Sequence, residues 1–118
     1  MMLQSIRHHL SDLFSELVPA DTDAIHHEYT SANGRFTFRF TFIFTPNAGY
    51  RIYLDPALND LYRSHHRPGG AHETHRLCDS FGSYICFSAK IETVPEAIAV
   101  AQLWAERTGE YLSKATRF

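Results

Sequence analysis

Cysteine is scarce. Cys78 and Cys86 are the two in this 118-residue chain, too few for a disulfide framework and expected to be free thiols in a reducing compartment. Charge of one sign is missing as well: eleven Lys and Arg stand against thirteen Asp and Glu, a formal net charge of −2 with no block of like charge. That balance disfavours a nucleic-acid reader held by phosphate contacts. No apolar run approaches the roughly 18 residues that span a bilayer. His8, His9, Asp12 and Glu16 also interrupt what would be the apolar stretch of a secretory signal. A phosphate-cradling glycine loop is lacking, because Pro68-Gly69-Gly70 does not sit between a strand and a helix. What remains is a single domain over residues 1–118, expected to be soluble and cytoplasmic.

Aromatic residues, by contrast, are plentiful and patterned. Phe36, Phe38, Phe40, Phe42 and Phe44 alternate with Thr37, Arg39, Thr41 and Ile43, which predicts a strand burying five rings on one face and mostly polar on the other. A short strand over 24–30 precedes it, joined through Ser31-Ala32-Asn33-Gly34, where Asn and Gly tolerate positive φ. Pro46-Asn47-Ala48-Gly49 makes a second turn, and Tyr50 to Leu54 predicts a third strand of an antiparallel meander. Upstream, Leu3, Ile6, Leu10, Leu13, Phe14 and Leu17 predict an amphipathic helix over 3–18 that Pro19 ends. After Asp55-Pro56 the pattern breaks down for about thirty residues, a long irregular segment of the kind that often carries function. Thr93-Val94-Pro95-Glu96 has the form of a capping box. Ala97, Val100, Ala101, Trp104, Tyr111 and Leu112 then lie along one helical stripe, with Gly109 as an expected interruption. The fold class is α+β, with helices on one face of an antiparallel sheet.

Three constellations bear chemistry. Cys86 follows a Gly-containing turn and precedes the capped helix, a placement suited to a nucleophile, although cysteine in Ile-Cys-Phe is commonly a small buried hydrophobe. His65, His66, His72, His75 and Cys78 offer zinc ligands within a few residues, at a spacing unlike that of ordinary structural zinc sites. His75 and Cys86 form a dyad if the fold brings them together, with no third orienting group evident. The pairs His8-His9 and His26-His27 cannot share one face and read as surface or partly buried histidines. The Phe-rich strand reads as core, since the basic groove that base stacking requires is missing.

His75-Arg76-Leu77-Cys78-Asp79-Ser80-Phe81-Gly82-Ser83-Tyr84-Ile85-Cys86 resembles the active-site stretch of E2 ubiquitin-conjugating enzymes, where a His-Pro-Asn motif precedes an Ile-Cys or Leu-Cys nucleophile by about ten residues. The order of helix, meander, extended segment with a late cysteine, and helix is similar too. Small size and Trp104 in the last helix look most like the short bacterial E2-like proteins of antiphage operons, in CBASS or ubiquitin-like conjugation systems. Departures are plain: Arg76 stands at the family's Pro, Leu77 at its oxyanion-stabilising Asn, and no Tyr-Pro-x-x-Pro-Pro segment follows the meander. The resemblance implies that Cys86 carries an activated protein carboxyl terminus as a thioester and yields it to a lysine amine. His75 would order the loop, Asp79 would supply charge near the amine, and Cys78 would be structural. The implied partners are a ubiquitin-like protein or the tail of a cGAS-like nucleotidyltransferase, with an E1-like activating enzyme, and without cofactor, metal, nucleic acid or membrane. The rival expectation is a noncatalytic small α+β adaptor or chaperone with Cys86 buried.

Overall fold

The structure is a computed structural model describing residues 24–70 and 73–114. The helix expected over 3–18, with His8 and His9, lies outside the described residues, as does His72. Alternating phenylalanines build β2 (Thr37–Thr45) as the centre of a meander with β1 (Ala24–Thr30) and β3 (Gly49–Leu54). Both pairings are antiparallel, Thr30 facing Thr37 and Thr45 facing Gly49 at the two turns. At the first turn Gly34 takes φ +75° while Ser31 N–H donates to Phe36 O and Ser31 Oγ accepts from Phe36 N–H. At the second, Gly49 has φ +76° and its Cα lies against the Ile91 carbonyl, which accepts the Tyr50 N–H at 2.7 Å. A side chain at Gly49 would strike that carbonyl.

The segment expected to be irregular contains structure. Asp55 Oδ1 accepts the Ala57 N–H at 2.9 Å and starts a short helix, α1 (Leu58–Ser64), which buries Leu58 and Tyr62. Two three-residue strands follow, β4 (Arg76–Cys78) and β5 (Ser83–Ile85), forming a hairpin whose β5 pairs with β3 at Tyr53–Tyr84. The sheet is five-stranded in the order β1-β2-β3-β5-β4, with every neighbouring pair antiparallel.

Across it lies α2 (Val94–Lys114). Its capping box is formed: Thr93 Oγ1 accepts the Glu96 N–H, and Glu96 Oε1 accepts the N–H groups of Thr93 and Glu92. Ala97, Ala101 and Ala105 are fully buried, so the helix axis sits close over the rings of Phe36, Phe38, Phe40 and Phe42. Gly109 does not interrupt α2, which continues to Lys114; the glycine is buried where the Phe36 ring approaches the helix.

Two expectations for β2 are corrected. Phe44 is 41% exposed, since it precedes the turn where the core ends and its ring rests edge-on against Tyr50. The opposite face is not simply polar either: Ala24, Ile43 and Tyr53 form a second, smaller core against Phe81 and Tyr84. Among the described residues the domain is thus α+β with two helices, and none is long and apolar enough to cross a membrane.

Candidate functional site

Cys86 is the first residue beyond β5. Its N–H donates to the carbonyl of His75 at 2.9 Å, extending the β4–β5 ladder one step past Arg76–Ile85. The fold therefore brings the two members of the expected dyad together as backbone neighbours at the open end of the hairpin. His75 has φ +53°, a left-handed conformation uncommon for a residue with a side chain. Cys86 is exposed and unbridged, so the alternative of a small buried hydrophobe does not hold.

A groove of about 170 Å³ opens beside the thiol. His75, Cys86 and Phe87 line one side, Leu103 and Arg107 of α2 the other, and Trp104 lies beneath. Phe87 and Leu103 are 46% and 52% exposed, large apolar side chains presented to solvent next to the sulfur.

Polar anchors hold this lip in place. Trp104, buried edge-on against Phe38 and Phe40, donates its indole N–H to the Thr74 carbonyl at 3.0 Å and so ties the start of the hairpin to α2. Thr74 Oγ1 donates to the Gly70 carbonyl at 2.7 Å. The Arg76 guanidinium, buried over the Tyr62 ring, donates through Nε to Thr74 Oγ1 at 2.8 Å. Sequence reasoning counted Arg76 as a departure from a motif and Trp104 as a helix core residue; their hydrogen bonds to the hairpin were not legible. Arg107, Phe87 and Leu103 were missed, and no local pattern singles them out.

Asp79 sits at the other end. Its Oδ2 accepts from Arg51 Nη1 at 2.7 Å and from Tyr53 Oη at 2.6 Å, and its Oδ1 accepts the N–H groups of Phe81 and Gly82. The Tyr53 hydroxyl is pushed well above its ordinary pKa, chiefly by burial and next by the bond to Asp79. Asp79 stands four residues from His75 along extended chain, about 13 Å at ~3.3 Å per residue. The structure thus does not bring Asp79 to Cys86. It folds the hairpin turn back onto the second face of the sheet, where Arg51 also stacks on Tyr84 at 4.6 Å. Cys78, exposed and paired with Ser83, shares that far end.

No family model, curated protein or solved structure matches this chain. The chemistry is therefore read from the residues themselves. Among the described residues no three His, Cys, Asp or Glu side chains gather to hold a metal ion. His65 lies edge-on to Phe36 with its Nδ1 at 3.0 Å from the Leu61 carbonyl, and His27 lies against Phe40 and Phe42. What the lip of the hairpin can do is present one sulfur, with an imidazole-bearing neighbour and a guanidinium nearby, to a chain laid in an apolar groove.

Proposed function

We propose that this protein is an E2-like conjugating enzyme: Cys86 carries the activated carboxyl terminus of a ubiquitin-like protein or of a cGAS-like nucleotidyltransferase, in bacterial antiviral defence. The observation that supports the reading is the exposed Cys86 thiol, backbone-locked to His75 at the lip of a groove. In the first step the thiolate attacks the activated acyl carbon; a C–S bond forms and the activating group leaves with the bond's electron pair. In the second an amine nitrogen attacks the same carbon, a C–N bond forms, the C–S bond breaks to return the thiolate, and the amine proton passes to a base or solvent. Thiolate is a good nucleophile and a good leaving group, so the enzyme's main contribution is position, with His75 ordering the lip. Leu77, at the family's Asn position, is 46% exposed and supplies no oxyanion donor. The short helix α1 follows the meander, where the family carries its proline-rich segment.

The assay uses a glycine-ending peptide thioester as acyl donor. Wild type and Cys78→Ser are expected to form a reductant-sensitive peptide adduct, and Cys86→Ser to lose it or to form a reductant-resistant oxyester. Equal loss in both variants, or no adduct in any, overturns the assignment. Exposed Phe87 and Leu103 also favour the second reading, a noncatalytic adaptor that docks a partner through this groove; it predicts partner binding that survives Cys86→Ser unchanged and no adduct.

A further inference from the structure

The pairing of β3 with β5 is confined to Tyr53–Tyr84, although β3 runs on to Leu54 and β5 begins one residue earlier, at Ser83. A cleft of about 180 Å³ opens where they part. Leu54, Asp55 and Pro56 line it at the end of β3, Asn59 from α1, and Arg76 and Phe81 from the hairpin.

Arg76 is 8% exposed, and none of the ion pairs among the described residues, Arg39–Glu28, Arg51–Asp79 and Arg63–Asp60, reaches it. Its hydrogen-bond partners are all neutral. Nε donates to Thr74 Oγ1, Nη2 to the Gly69 carbonyl, and Nη1 to Asn59 Oδ1 at 3.5 Å, while the Tyr62 ring packs against the guanidinium. A charge taken out of water costs stability unless an opposite charge meets it, and neutral acceptors offset that only in part. A guanidinium has five N–H groups, so each terminal nitrogen keeps one uncommitted, and the bond from Nη1 is at the outer limit of length. Arg76 and Asn59 both line the cleft, so its loosely held end is the one a ligand there would meet.

A planar guanidinium matches the two oxygens of a carboxylate. Asp55, on the same wall with its Oδ1 accepting the Ala57 N–H, repels a second negative charge and so favours a monoanion over a phosphate dianion. Leu54, Pro56 and Phe81 offer apolar surface to a short hydrocarbon body. We infer that this cleft binds a small monocarboxylate, an apolar acid of a few carbons, whose carboxylate takes the place of Asn59 Oδ1 on Arg76 Nη1. Cys86 lines a different groove, past the opposite end of β5, so the inference does not rest on the conjugation reading.

Thermal unfolding and backbone amide spectra of the full chain at constant ionic strength test it, with sodium butyrate as probe, butyramide as its uncharged match and inorganic phosphate as the dianion. Butyrate is expected to raise the unfolding midpoint and to shift the Asn59, Arg76 and Gly82 amides saturably, with a dissociation constant of about 1–10 mM for so small a ligand. Butyramide should do neither. Asn59→Asp sets a carboxylate beside Nη1 from within the chain and is expected to weaken butyrate about tenfold or more. Asn59→Ala removes the long bond without adding charge and should leave the affinity within about threefold. A response to butyrate no larger than that to butyramide, undiminished binding in Asn59→Asp, or equal loss in both variants overturns the site. Tighter binding of phosphate than of butyrate overturns the ligand class.

Discussion

The meander and the hairpin are both antiparallel, but they are held by different forces. Between β1 and β3, Phe38, Phe40, Phe42, Ile52 and Leu54 are buried beneath α2, and the long registers on either side of β2 follow from that one-sided burial. In the hairpin only Ile85 brings an aliphatic side chain to the same core, and three residues per strand give little ladder. Its position depends on the Phe81 and Tyr84 rings packed against Tyr53 and on three polar side chains reaching backbone or one another across the fold: Asp79 at the turn, Arg76 in β4, and Trp104 from α2. The lesson is that the part of the molecule presenting the thiol is positioned by directional bonds and a small aromatic cluster rather than by long registers over the main core.

The comparison breaks if truncating one region disturbs both alike. Phe42→Ala, at a side chain with no exposure, is expected to cost about 3–5 kcal/mol in denaturant unfolding and to speed amide exchange throughout the sheet. Asp79→Ala strips acceptors from Arg51, Tyr53 and the turn N–H groups at once, and is expected to cost about 2–3 kcal/mol. Its exchange signature should be confined to the hairpin, with β1 and β2 amides unchanged. Acceleration in β1 and β2 equal to that in the hairpin would mean the two regions form one cooperative unit.

The same division explains what the sequence could show. Alternation in β2, the two glycine turns and the capping box at Thr93 are local patterns with local causes, and they reappear within a residue or two. The short α1 was missed although Asp55-Pro56 is a helix-start signal and Leu58, Leu61 and Tyr62 keep helical spacing; one turn and a half of apolar stripe is too little periodicity to stand out. β4 and β5 leave fainter marks still, because a three-residue strand has no period. Phe44 was assigned to the core because alternation does not register where a core ends. The meeting of His75 with Cys86 depends on hairpin register, and the removal of Asp79 from that meeting depends on the same register. Neither can be read until Cys78–Ser83 and Arg76–Ile85 are seen to pair.

Alkaline titration sharpens the comparison with the smallest effect. Tyr53 belongs to the meander by backbone but bonds to the hairpin through its hydroxyl, so its proton reports their junction. In the unfolded chain a tyrosine ionises near 10.0; in the fold, burial first and the Asp79 bond second hold the proton on Tyr53 to higher pH. Below pH 10 both states are protonated and the contribution is fully present. As pH rises above 10 the unfolded chain releases the proton before the folded one does, so the unfolded state binds fewer protons and stability falls with pH, by up to about 1.4 kcal/mol per pH unit for one such group. Tyr29, Tyr62 and Tyr111 are shifted the same way and contribute to the decline. Tyr53→Phe is therefore expected to start lower at neutral pH, having lost the Asp79 bond, and to decline less steeply above pH 10 in thermal unfolding. An unchanged slope would mean that the Tyr53 proton is not held by the junction between meander and hairpin.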